Sequence, residues 1–129
     1  MRHLFLILIA LTLTNCSSSK DVKEAAFLYY GKTQCLGKCP VFDMYLFEDG
    51  KILYEGFKNV DLLGKHESYL KEEELESIKQ KLKEIDFSTK EKLKRDIPNT
   101  VLKFKGKRLV TQNNEQVKAL INLLSKIKL

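Results

Sequence analysis

A chain of 129 residues with 23 lysines and arginines against 17 aspartates and glutamates carries a formal charge of +6. That length holds one domain with a core of modest size and excludes a second sizeable one. Apolar and charged contents are ordinary for a globular domain, and the basic residues are scattered among acids, which reads as solubility and some surface affinity, not recognition of nucleic acid.

The chain opens with a short polar start, Arg2 and His3, followed by an almost purely apolar run from Leu4 to Leu13 and then Leu13-Thr14-Asn15-Cys16. About ten apolar residues are too few for a hydrocarbon core that needs roughly 20, and they suit the h-region of a signal peptide. The stretch resembles a bacterial lipoprotein signal, with Leu13 at the key apolar position and Asn15 a departure from the usual small residue. The resemblance implies a signal peptide over residues 1–15 and acylation of Cys16 as the first mature residue. Ser17-Ser18-Ser19-Lys20-Asp21 reads as a polar tether, so that residues 16–24 link the lipid to one domain over residues 25–129. Ser17 after the cysteine is similar to lipoproteins sorted to an outer membrane. The expected location is the cell envelope, lipid-anchored in the outer membrane.

Past the tether, Ala25 to Tyr30 is apolar and aromatic and is expected as the first strand, with Gly31 to Pro40 as a loop carrying two cysteines. Val41 to Phe47 alternates, with Phe42, Met44 and Leu46 on one face and Asp43 and Tyr45 on the other, the period of a strand with one buried side. The next turn decides the register. A two-residue Asp49-Gly50 turn would set Met44 against Glu55. A three-residue loop, Glu48-Asp49-Gly50 with Gly50 left-handed, sets Leu46 against Ile52, Met44 against Tyr54 and Phe42 against Gly56. Only the longer loop keeps the inward face apolar. Tyr45, Phe47 and Leu53 then share the outward face. A further strand is expected over Gly64 to Tyr69.

From Leu75 the period changes: Leu75, Ile78, Leu82 and Ile85 form one stripe of an amphipathic helix. Acids crowd its start and lysines follow, which suits the helix dipole. Ser88 to Asn99 is a charged connection. Thr100 to Lys105 alternates with Leu102 and Phe104 inward, and Gly106-Lys107 marks a turn into Arg108 to Thr111. Asn113 and Gln116 resemble a capping pair before a last helix with Val117, Leu120, Ile121, Leu124 and Ile127 as its stripe. The expected fold is α+β, two-layered, an antiparallel sheet with two helices packed on one face.

The run Cys35-Leu36-Gly37-Lys38-Cys39-Pro40-Val41-Phe42, followed by Asp49-Gly50 and Tyr54-Glu55-Gly56, resembles an uncharacterised domain-of-unknown-function family of bacterial envelope lipoproteins. Its pattern is C-x-G-x-C-P, an aromatic one residue later, then D-G and Y-x-G. Gly64-Lys65-His66 is similar too, and the likeness covers Ala25 to Leu129. It implies a fold and no activity.

Three classes compete for function. With Cys16 assigned to lipid, Cys35 and Cys39 form an even pair in a compartment that permits disulfides, and a bridge over so short a loop would contribute on the order of 2 kcal/mol. A non-catalytic binding or structural module, with Tyr45, Phe47 and Leu53 as a candidate docking surface for an envelope protein or polymer, needs nothing more: no metal and no cofactor. The alternative is a thiol redox or copper-handling protein. C-x-x-x-C-P resembles the site of Sco-type copper chaperones, and thiolates with an imidazole suit Cu(I), so Cys35, Cys39 and His66 form the alternative metal set. Against it, Pro40 leads into a strand where that family has a helix. A hydrolase is disfavoured, because His66 is the single histidine after the signal and no Gly-x-Ser-x-Gly elbow occurs. No enzyme activity and no nucleic-acid partner are expected.

Overall fold

The computed structural model describes residues 19–129. The signal segment 1–15, Cys16 and the start of the tether lie outside the described residues. From Ser19 the chain forms a short helix, α1 (Ser19–Glu24), then six strands: β1 (Leu28–Lys32), β2 (Val41–Leu46), β3 (Lys51–Lys58), β4 (Gly64–Tyr69), β5 (Thr100–Phe104) and β6 (Lys107–Thr111). Helix α2 (Glu72–Glu84) lies between β4 and β5, and α3 (Glu115–Leu124) follows β6. The strands form one antiparallel sheet in the order β4-β3-β2-β1-β5-β6. The fold is mixed α+β. No helix among the described residues is long and apolar enough to cross a membrane.

The β2–β3 hairpin has the register that the apolar pattern selects: Leu46 faces Ile52, Met44 faces Tyr54 and Phe42 faces Gly56. Phe47 and Lys51 close the loop by a 2.9 Å backbone bond, and Gly50 adopts φ +83°, a left-handed conformation that a side chain would strain. A bulge shifts the register between Phe42 and Val41, beyond which Val41 faces Lys58.

Three expectations shift. The first strand is Leu28–Lys32, not Ala25 to Tyr30, because the ladders to β2 and β5 run on through Gly31 and Lys32. The second hairpin turns on Lys105 and Gly106, with φ of 49° and 73°, the mirror-image geometry that matches strand twist. Lys107 therefore belongs to β6. The cap of α3 is Asn114, whose side chain accepts a bond from Val117 N at 3.2 Å. Gln116 instead accepts one from Asp86 N, so it ties the end of α2 to α3. At α2 the cap is backbone-side: Lys71 N donates to Glu74 Oε2 at 2.9 Å, half of a capping box.

Registers align the residues in rows across the sheet. Tyr30, Met44 and Tyr54 share one row with Leu102 and Leu109, and Leu28, Leu46 and Ile52 share the next. These side chains are buried and join Leu75, Ile78 and Leu82 of α2 and Val117, Leu120 and Leu124 of α3 in one core cluster. At ~1.5–3 kcal/mol for each fully buried large aliphatic side chain, this cluster is the dominant stabilising term. A third row changes character: Phe42, Lys32, Thr100 and Thr111. Lys32 Nζ donates to Thr100 Oγ1 at 2.6 Å, and Thr111 Oγ1 donates to Glu91 Oε2. Glu91 and Gln112 then bind the long 85–99 connection to the end of β6.

Candidate functional site

The opposite parity of the strands gives the other face of the sheet. One row reads Arg108, Lys103, Tyr29, Tyr45, Leu53 and Glu67, and the next Val110, Val101, Gly31, Asp43, Glu55 and Lys65. Tyr29 leans diagonally across this face. Its Oη donates to Asp43 Oδ1 at 2.6 Å, its ring meets that of Tyr45 at 5.2 Å, and Lys103 Nζ stands 5.1 Å from the ring centre. Gly31 permits this, because a Cβ there would collide with Tyr29 Oη. Burial, then the hydrogen bond to Asp43, pushes the Tyr29 hydroxyl well above the usual phenol range. Tyr45 is shifted upward too, first by burial and then by the Asp43 charge.

Helix α1 reaches the same surface. Lys23 Nζ lies 3.1 Å from Glu55 Oε2 and 5.0 Å from the centre of the Tyr45 ring. Burial works against the Lys23 charge, but the Glu55 carboxylate and its neighbours outweigh it and raise the pKa. Lys23 divides the surface into two hollows of about 320 and 340 Å³. Tyr29, Lys103 and Lys105 line the first; Val22, Tyr45, Leu53, Lys65 and Glu67 line the second. Tyr45 and Leu53 are register partners and share a wall. Phe47 lies beyond the end of β2, in the pair that closes the hairpin, and is half-buried outside that wall. Of these three residues Tyr45 and Leu53 thus lie together, Phe47 lies apart from them, and Val22 and Lys23 of α1 border the same hollow.

The cysteine loop sits at the far end of the sheet. Cys35 and Cys39 are at disulfide distance, with Cα atoms 5.8 Å apart. Gly37 N donates to Cys35 Sγ at 3.2 Å, and the Asn59 amide donates to Cys39 O at 3.0 Å, so the loop leans on the β3–β4 connection. His66 is occupied elsewhere: its Nε2 donates to Leu63 O at 2.8 Å, and its ring stands 6.3 Å from that of Tyr54. Among the described residues no three His, Cys, Asp or Glu side chains gather as metal ligands, so Cys35, Cys39 and His66 are not brought together as a set.

Sequence reading missed Tyr29, Lys23 and Lys103. Without the register the Tyr29-Tyr30 pair is open to either facing, whereas Lys23, five residues before the first strand, carries no signal of its contact. Lys32, placed in a loop by sequence, is a half-buried strand lysine whose amine is shifted downward by burial.

The family model described as Domain of unknown function (DUF6438) matches residues 26–129. No curated protein matches the chain.

Proposed function

The chain belongs to the DUF6438 family, described as a domain of unknown function, and on that premise we propose that it is a lipid-anchored bacterial envelope domain, held at the outer membrane by acylated Cys16, that binds a protein or polymer partner and performs no catalysis. The sheet and its two long helices act as two layers with α2 and α3 on one face. Supporting this, the inward rows and both helical stripes enter one core cluster. That leaves the aromatic face for a partner. The observation that carries the reading is the Tyr45–Leu53 wall, half-buried beside Lys23 and Glu55: apolar side chains bordered by a partly exposed ion pair make a surface that a partner can complete.

Cys35 and Cys39 serve as a structural bridge, contributing on the order of 2 kcal/mol. The loop leans on Asn59 and, among the described residues, gathers no third ligand, which favours that role over copper or thiol redox chemistry. Intact mass of the protein from its native envelope is the first test. A diacyl or triacyl increment with a two-hydrogen gain on reduction supports anchor and bridge; free thiols retaining a metal would overturn both the bridge and the binding-module reading. A photo-crosslinking residue at Leu53 in living cells should give a discrete adduct that the same residue at the exposed Glu84 does not. Equal labelling at both positions would remove the docking surface.

A further inference from the structure

The loops joining β1 to β2 and β3 to β4, together with the connection into β5, all emerge at one end of the sheet. The backbone bond from Thr33 N to Asn99 O and the Asn59–Cys39 bond link them. Exposed large apolar side chains concentrate there. Leu36 is 83% exposed, Leu63 63% and Phe57 50%, with Leu93 and Ile97 at the β5–β6 side. Among the described residues, Val22 and Tyr69 are the large apolar side chains of this kind clearly outside that end.

Each exposed tip has a cation within two positions on the same segment: Lys38 after Leu36, Lys58 after Phe57, Lys65 after Leu63, Lys94 after Leu93. The segments 33–40, 57–65 and 87–99 together hold seven lysines and arginines against three acids. Among the described residues none of these seven lies within 4.0 Å of a carboxylate. One of the three acids, Glu91, is engaged with Thr111 and Gln112. Separate apolar tips, each paired with an uncompensated cation, fit the boundary between headgroups and acyl chains, where leucine inserts and lysine reaches the phosphates. A protein partner would instead select a contiguous apolar patch.

We propose that this end of the sheet is a docking surface for an anionic lipid bilayer, with Leu36, Phe57 and Leu63 inserting and Lys38, Lys58 and Lys65 contacting lipid phosphates. It goes beyond the anchored-module reading and does not rest on Cys16; the mass of Cys16 tests the anchor, and the depth of the loop tips tests this surface.

The chain has no tryptophan, so a single one reports its own position. Leu36→Trp, Leu63→Trp and Tyr69→Trp variants of the full chain are mixed with phosphatidylglycerol–phosphatidylcholine vesicles whose acyl chains carry bromine. The expected result is blue-shifted, quenched emission from positions 36 and 63 and neither effect at 69, where the residue lies at the other end of β4. Each of Lys38→Gln, Lys58→Gln and Lys65→Gln should weaken partitioning about fivefold at low salt. Positions 36 and 63 quenched no more than position 69 would overturn the proposal. Equal quenching in vesicles of phosphatidylcholine alone would also overturn it, because the lysines would then contribute nothing.

Discussion

Replacing Gly31 by alanine perturbs the aromatic face from beneath. The added Cβ would collide with Tyr29 Oη and sit 2.8 Å from Cζ and 3.2 Å from Asp43 Oδ1, so the ring must swing away. Its movement breaks the 2.6 Å bond to the Asp43 carboxylate, a loss of ~1.5–3 kcal/mol for a hydrogen bond to a charged group. It also separates the Tyr29–Tyr45 pair at 5.2 Å, roughly another 0.5–1.5 kcal/mol. Removing glycine's backbone freedom from a strand returns about 0.5–1 kcal/mol. The net destabilisation is about 1–4 kcal/mol, which for a domain of about 100 residues lowers Tm by roughly 4–8 °C per kcal/mol. Urea unfolding followed by circular dichroism measures it, in the wild-type background and again with Tyr29→Leu. Without the ring to displace, Gly31→Ala should be neutral or stabilising by up to about 1 kcal/mol. An equal cost in both backgrounds would refute the account, because the penalty could not then come from Tyr29.

Lys23→Met removes the charge that pairs with Glu55 and caps the Tyr45 ring; the domain should lose no more than about 1 kcal/mol, while amide exchange around Val22 to Ala26 quickens several-fold. At the alkaline end, burial pushes the Tyr30 hydroxyl up to about 12 from an ordinary value of 10.0 and raises Tyr29 further. Their folded pKa values lie above the unfolded ones, so this stability is complete below pH 10 and is lost as pH rises through 12; a denaturation series with phenolate absorbance should show unfolding and tyrosine ionisation together. Glu91 behaves oppositely. Hydrogen bonds from Thr111 and Gln112 hold its carboxyl below the ordinary 4.5, so its contribution is present above that pH and is lost on acidification. Glu91→Gln should flatten the acid limb of the stability curve and speed exchange at Gln112, and an unchanged acid limb would count against the pairing.

Much of the fold was legible because it rests on local chemistry. The alternation from Phe42 to Leu46 and from Ile52 to Gly56 leaves one loop length that keeps charge off the inward face, and the register follows from that alone. The stripes of α2 and α3 are equally local, since a period of three and four residues needs no knowledge of the partner. The cysteine pair was readable for the same reason, four positions apart with a glycine between.

What the sequence could not decide depends on residues far apart in the chain. The position of β5 beside β1 sets Lys103 near Tyr29, 74 positions away, and makes Gly31 a strand residue under an aromatic ring instead of the start of a loop. Lys23 looks like part of a polar tether until Glu55 and Tyr45 are brought to it. Leu36, Leu63 and Ile97 are unrelated loop residues, and Phe57 one near the end of a strand, until antiparallel pairing turns their segments out at one end. Periodicity reports which side of an element is apolar, because burial acts on each element separately. Which elements become neighbours is a property of the closed sheet, and the composite surfaces of this protein exist only there.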